Sequence, residues 1–270
     1  MKIALFLRNS NLENDRRFTG LLQSLDVSGC GYYILGENGI LEEGTDFLMV
    51  VGGDGTFLSA ATVVRDSCVP IVGVNLGRLG FLSENRPENV VEALVAGDFE
   101  MEHRSLLHLD ASVSIPGWPY ALNEISVHRK GPAMLGVDVS VDGSQLPTYW
   151  ADGLLIATSS GSTAYSLSVG GPIVMPESKV LIISPISPHN LNVRPLIVPD
   201  SVSIRLSFRA REDSVNLTLD NRSVEIPADS GITVSLAQFS LERVRLAGSD
   251  FINALTSKLY WGEDIRNTEH

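Results

Sequence analysis

The chain has 270 residues, 44% hydrophobic and 19% charged, with a formal net charge of −12. That length and apolar content suit one large or two medium globular domains with a sizeable core. The acidic balance excludes nucleic acid as the main partner, because affinity there comes from Lys and Arg neutralising phosphates, and no run approaches the roughly 20 apolar residues of a membrane span.

The apolar run at residues 3–7 predicts a strand buried on both faces and is too short for a signal peptide. A helical pattern follows at 12–25, with Phe18, Leu21, Leu22 and Leu25 on one side. Residues 32–35 and 47–51 read as further strands, 57–65 as a helix and 69–74 as a strand. Pro87 opens a helix carrying Val90, Val91, Leu94 and Val95, which Gly97 ends. Strands alternating with helices predict an open parallel sheet, a Rossmann-like α/β domain over residues 1–100. Cys30 and Cys68 have no metal-like spacing, which predicts a reduced, cytoplasmic setting.

The period changes near residue 100. Leu107, Leu109, Ala111, Val113 and Ile115 alternate with polar residues, as do Val137, Val139 and Val141 before the turn pair Asp142-Gly143. Further alternating runs start at Val202, Val215, Val224, Ile232 and Val244, with Asp220-Asn221 as a hairpin turn. They predict a β-sandwich-like domain over 101–249. Helical spacing returns at Phe251, Ile252, Leu255 and Leu259, so a tail at 250–270 is expected to rejoin the first domain.

Gly52-Gly53-Asp54-Gly55-Thr56 carries the most chemistry. It lies between a buried strand and a helix, where glycines allow a tight turn and close approach to a ligand, and a helix start offers N–H groups to an anion. It is neither a Walker A loop nor a G-x-G-x-x-G fingerprint. An aspartate among phosphate-inviting glycines makes sense if Asp54 handles a hydroxyl or a metal. Asn123-Glu124 offers hydrogen bonds for ribose hydroxyls, against a plain strand end. Asp152-Gly153 leads an apolar strand into the hydroxyl-rich turn around Ser160, Thr163, Ala164, Tyr165 and Ser168, which suits phosphate or a base edge as well as simple helix capping. Arg194, in a proline-rich loop, could fork onto a phosphate or pair on the surface. His189 reads as structural, and His103, His108 and His128 as solvent-facing strand residues. No histidine has a metal-ligand partner at a recognisable spacing, and no G-x-S-x-G elbow occurs.

In order along nearly the whole chain, these segments resemble the NAD kinase family. Gly73-Val74-Asn75-Leu76-Gly77-Arg78-Leu79-Gly80-Phe81-Leu82, Gly170-Gly171, the loop at 184–195 and Lys258-Leu259-Tyr260-Trp261-Gly262 add to the match. The resemblance implies transfer of a phosphoryl group from ATP or polyphosphate to the adenosine-ribose 2′-hydroxyl of NAD, with Mg²⁺ or another divalent cation. It implies an active site between the two domains, and a homodimer or homotetramer. It makes Asp54 the ribose-contacting base and Gly53, Gly55 and Thr56 the phosphate-side loop. Phe81 becomes an aromatic beside adenine, and Asn123 and Glu124 become ribose contacts. Asp152 becomes a nicotinamide-amide contact across subunits, and Ser160, Thr163, Ala164, Tyr165 and Ser168 the adenine turn. Ser159 stands where the family commonly has proline, and Asn221 where it commonly has glycine. The alternatives are a diacylglycerol- or sphingosine-type lipid kinase, which shares a glycine-rich aspartate loop, and a non-enzymatic nucleotide-sensing module in which Asp54 is only a cap.

Overall fold

Ile3, Ala4, Leu5 and Phe6 are fully buried in β1 (Lys2–Phe6), the centre of a parallel sheet. β1 pairs with β2 (Gly31–Leu35) on one side and β3 (Phe47–Val51) on the other, and β3 pairs with β4 (Ile71–Val74). Buried on both faces, β3 and β4 are near-continuous apolar runs, as a helix-covered parallel sheet requires. The computed structural model describes residues 1–8, 12, 14–77, 80–248 and 250–262. Arg78 and Leu79 of the glycine-rich run, and residues 263–270 of the expected tail, lie outside the described residues.

Helices α1 (Arg16–Val27) and α2 (Asp54–Val64) make the crossovers. α1 starts later than the apolar pattern suggested, because the Asp15 carboxylate caps it, accepting the Arg17 N–H at 2.8 Å. α2 starts three residues earlier than expected. Gly53, extended, is its N-cap, and its carbonyl accepts the Phe57 N–H at 3.1 Å, so Asp54, Gly55 and Thr56 form the first turn. α3 (Pro87–Ala96) has proline in its first turn and ends on Gly97 at φ 72°, as read from sequence. Phe18, Leu21 and Leu25 of α1 and Val90, Val91 and Leu94 of α3 join the strand residues in one apolar core.

The chain forms two compact units, one of residues 1–103 and 241–270 and a second of residues 104–240. Two long strands, β5 (Phe99–Ala111) and β17 (Ile232–Leu246), each begin in one unit and end in the other. The runs at Ile232 and Val244, which read as separate strands, are thus a single one of 15 residues. Its last part reaches β4, with Arg243 opposite Ile71. Helix α5 (Phe251–Leu259), capped by Asp250, belongs to the first unit.

The second unit is a β-sandwich. Between β5 and β17 it contains β6 (Tyr120–Ala121), β7 (Glu124–His128), β8 (Leu135–Val141), β9 (Ser144–Gln145), β10 (Tyr149–Ala151) and β11 (Gly153–Thr158). The single turn α4 (Tyr165–Ser168) follows, then β12 (Val180–Ile186), β13 (Leu196–Pro199), β14 (Ile204–Arg209), β15 (Ser214–Leu219) and β16 (Arg222–Pro227). One sheet is antiparallel in the order β13-β12-β11-β7-β15-β16, and β10-β8-β14-β17 faces it. β11 shows no alternation, since its residues are all buried, whereas β15 alternates cleanly. Val137, Val139, Ile156, Ile183, Val215, Leu217 and Val234 come together in the core between the sheets. Asp142 and Gly143 both take positive φ, 48° and 84°, the geometry of a two-residue hairpin turn. Val113 and Ile115, expected to extend a strand, lie beyond β5 but still pack on this core.

Candidate functional site

In the first unit, the candidate side chain, Asp54, is held by chain far from it in sequence. Asp54 turns from the start of α2 onto the segment after β4. Its Oδ2 accepts the Phe81 N–H at 2.8 Å, and its Oδ1 accepts those of Leu82 and Ser83 at 3.0 and 2.9 Å. A Cβ at Gly80 would lie 1.9 Å from Asp54 Oδ1, so only glycine lets the segment come this close. The N–H groups of Thr56 and Phe57 both donate to Gly53, so the helix start has fewer free donors than its glycines suggested.

Phe81 is half-buried, its ring centroid 6.0 Å from that of Phe251 on α5. The Lys258 ammonium sits 5.0 Å over the Phe81 ring and donates to the Gly80 carbonyl. Arg243, almost wholly buried, donates to the Leu82 carbonyl at 3.2 Å and pairs with Glu102 at 2.6 Å and with Glu84.

In the second unit, β7 and β11 pair so that Glu124 lies opposite Ala157. The Thr158 hydroxyl donates to the Leu122 carbonyl at 2.6 Å, and the Thr158 N–H to the Asn123 carbonyl at 2.9 Å. The chain then enters a tight 3₁₀ turn, Ser160–Thr163. A Cβ at Gly161 would lie 2.1 Å from the Asn123 carbonyl oxygen, which explains glycine there. The turn brings Tyr165 within electrostatic reach of both Glu124 and Asp152. Asp152 pairs with Arg129 at 2.6 Å. Ser160 Oγ accepts from Arg104 at 3.4 Å. Thr163 donates back to the Ser160 carbonyl at 3.5 Å, and Ala164 joins the turn to α4.

Glu124 is the electrostatic anomaly. It is 8% exposed, and its Oε2 has no hydrogen-bond partner among the described residues. Burial, reinforced by the negative Asp220 and only weakly opposed by the Tyr165 N–H, pushes its carboxyl up to about 8. Asp220 is itself buried, which raises it, but it accepts the N–H groups of Leu122 and Asn123 at 2.8 Å and of Glu124 at 3.2 Å. Three donors stabilise an ionised Asp220 while Glu124 has an oxygen with none, so at neutral pH the proton belongs on Glu124.

The structure therefore gathers Asn123, Glu124, Asp152, Ser160, Thr163, Ala164 and Tyr165 around one turn of the second unit. Ser168 is exposed at the end of α4. Arg194 lies in the loop between β12 and β13, its guanidinium donating to the Leu191 and Val193 carbonyls at 2.7 Å rather than reaching that turn. Two residues there escaped the sequence reading. His128, expected to face solvent, is half-buried, stacks on Tyr165 with centroids 5.8 Å apart, and meets Ser126 Oγ at 3.0 Å. Burial lowers its pKa, with Asp152 opposing. Asp220, read only as a turn residue, is a buried acceptor. Of the other two histidines read as solvent-facing, His108 is half-buried against Tyr120 and His103 is exposed; His189, read as structural, is exposed as well.

Comparison with known proteins agrees with both halves. Residues 27–97 match the model of the ATP-NAD kinase N-terminal domain, and residues 122–246 that of the ATP-NAD kinase C-terminal domain. A NAD kinase of Flavobacterium psychrophilum is 37% identical, over 98% of this chain and 94% of the relative. One of Porphyromonas gingivalis is 38% identical, over 98% and 99%. A crystal structure of yeast NADH kinase with NADH superimposes with a TM-score of 0.86 at 24% identity, covering all of this chain and 90% of that one, a likeness of fold. A NAD kinase from Archaeoglobus fulgidus in complex with ATP gives 0.76 at 28% identity, over 92% and 94%.

Proposed function

This chain belongs to the NAD kinase family, and from that premise we propose that it transfers the terminal phosphoryl group of ATP to the adenosine-ribose 2′-hydroxyl of NAD, making NADP. The observation that carries the reading is the match to both NAD kinase domains in order, with relatives aligned over nearly the whole chain. It favours a dinucleotide acceptor over the lipid-kinase alternative.

A ribose hydroxyl is a poor nucleophile, and phosphoryl transfer depends mainly on positioning and charge stabilisation. An ionised carboxylate offers about four acceptor positions. Three on Asp54 are used by the N–H groups of Phe81, Leu82 and Ser83. The one left on Oδ2 receives the 2′-hydroxyl proton, and the three fixed donors keep the carboxylate from swinging away. Gly53, Gly55 and Thr56 serve the phosphate side, and Phe81 the adenine. Asn123 and the protonated Glu124 grip ribose. A neutral carboxyl there both donates and accepts, so it can satisfy a hydroxyl without adding a second negative charge. Ser160, Thr163, Ala164, Tyr165 and Ser168 hold the base and its neighbours, while Asp152 contacts the nicotinamide amide of a dinucleotide on an adjoining copy in a homodimer or homotetramer. Arg194 would have to release the Leu191 and Val193 carbonyls to serve as a secondary phosphate contact. The setting is cytoplasmic.

Among the described residues, no group of three or more His, Cys, Asp or Glu side chains is arranged to hold a metal ion. A Mg²⁺ or other divalent cation would therefore be held chiefly by the nucleotide phosphates and water, on the side served by Gly53, Gly55 and Thr56. Bound there, the ion would neutralise charge on the transferring group.

The test is purified protein with ATP, Mg²⁺ and NAD, with NADP read by an NADP-specific dehydrogenase. Wild-type protein is expected to form NADP, and Asp54→Asn to lower turnover by about 10²–10⁴ while NAD affinity changes little. No NADP from the wild type sinks the reading, and turnover of the variant within a few-fold of wild type removes Asp54 from its role.

A further inference from the structure

The carboxylate that meets the hydroxyl is only as well placed as the segment that holds it. That segment runs from Gly80 to Glu84, and inside the first unit it is gripped from two directions. Asp54 takes its N–H groups. On the other side stands α5, more than 160 residues away in sequence, with Lys258 and Phe251.

Lys258 makes three separate approaches to this segment. Its ammonium donates to the Gly80 carbonyl, lies 5.0 Å over the Phe81 ring and stands 3.9 Å from a Glu84 oxygen. The last distance is at the limit of an ion pair, so Glu84 is not its main anchor. Glu84 is already paired with Arg243. The Lys258 side chain is 13% exposed, so most of its charge is taken out of water. Burial lowers its pKa, while Glu84 and Asp54 pull the other way, which puts the ammonium within electrostatic reach of the Asp54 carboxylate. A cation removed from water needs compensation, and here it comes from a carbonyl and an aromatic face of the segment itself. Such a cation–π contact gains strength when desolvated.

We propose that Lys258 is a positioning residue for phosphoryl transfer: from α5 it fixes the Gly80 carbonyl and the Phe81 ring, and through them the three N–H groups that hold Asp54. The lysine touches neither substrate. It sets where the Gly80–Glu84 segment lies, and so couples the seating of the last helix to the aim of the carboxylate. Phe251, 6.0 Å from Phe81 on the same helix, supports the ring edge without supplying charge. The catalytic part of this role rests on the NAD kinase reading; the mechanical part does not.

The experiment separates the two. Lys258→Met keeps most of the unbranched apolar stem and removes the terminal amine with its charge. In nucleotide-free protein, amide hydrogen exchange at Phe81, Leu82 and Ser83 is expected to be at least about tenfold faster in this variant, and protection to return with Lys258→Arg. In the NADP assay, kcat is expected to fall at least about tenfold, and KM for NAD to rise through Phe81, again with recovery in the Arg variant. If Lys258→Met loses its thermal unfolding transition, Lys258→Gln carries the same test, because it also drops the charge and shortens the reach to Gly80. Unchanged exchange at Phe81–Ser83 in a folded variant overturns the proposal, as does faster exchange with unchanged kcat and KM. A wild-type protein that makes no NADP defeats the functional reading, and leaves the exchange test of the latch standing.

Discussion

Replacing Glu124 by Gln should make the protein more stable, increasingly so as pH rises. A carboxyl that titrates at about 8 in the folded chain, against an ordinary 4.5, resists ionisation. At about 1.4 kcal/mol per tenfold change in proton affinity, the gap is worth up to roughly 5 kcal/mol. The sign follows from proton counting. Below pH 4.5 the side chain is protonated in both states, and the penalty is absent. Between 4.5 and about 8 the unfolded chain gives up its proton while the folded chain keeps it, so stability falls as pH rises. Above about 8 both states are ionised and the penalty levels off. Gln has the shape of the protonated acid and cannot ionise, so it escapes the whole effect. The melting temperature of Glu124→Gln minus that of the wild type, followed from about pH 5 to about pH 9, should widen by on the order of 10 °C, at about 2–4 °C per kcal/mol for a chain near this size. The widening should stop a little above pH 8. Parallel curves across this range would refute the argument that Glu124 carries the proton beside an ionised Asp220. An Asp220→Asn background should narrow the gap without abolishing it, because it removes the neighbouring charge while burial, the larger cause, remains.

Arg243→Leu removes the buried guanidinium from Glu84 and Glu102, leaving them only Lys258 at 3.9 Å and Arg245 at 3.3 Å, and is expected to cost about 3–5 kcal/mol of stability, read by urea unfolding. A cost under about 1 kcal/mol would mean the pair of carboxylates finds other partners. Gly161→Ala would drive a methyl into the Asn123 carbonyl, 2.1 Å from its oxygen. The backbone there must shift, so NAD affinity measured by calorimetry should fall by at least about tenfold, whereas Gly55→Ala, with open space around it, should leave folding intact.

The parts of this protein legible in sequence were those whose logic is local. Buried strands declare themselves as apolar runs, Pro87 and Gly97 bracket α3, and Asp142-Gly143 announces its hairpin. The glycine run at 52–56 and the pair Asn123-Glu124 were visible for the same reason: a few adjacent residues of unusual type. What escaped was set by partners far along the chain. Asp220 binds the Asn123 N–H across 97 residues, Arg243 reaches Leu82 across 161, and Lys258 reaches Gly80 across 178. Nothing in the local sequence marks a turn aspartate as a buried acceptor, or a helix lysine as a clamp. Nor could periodicity show that Glu124 is neutral, since that depends on its burial and on a second carboxylate delivered by the distant turn between β15 and β16. The misplaced start of α2 has a smaller cause: a glycine N-cap without a capping side chain leaves no residue-type signal.

The second unit is a single uninterrupted stretch, whereas the first is closed only by residues 241–270, which bring the end of β17 to β4 and α5 to the Gly80–Glu84 segment. On a ribosome, the sandwich can therefore reach its native state while the parallel sheet still waits for its last strand and helix. A nascent chain released early would hold a finished β domain attached to an open one, and the aspartate would be the last group to come under control.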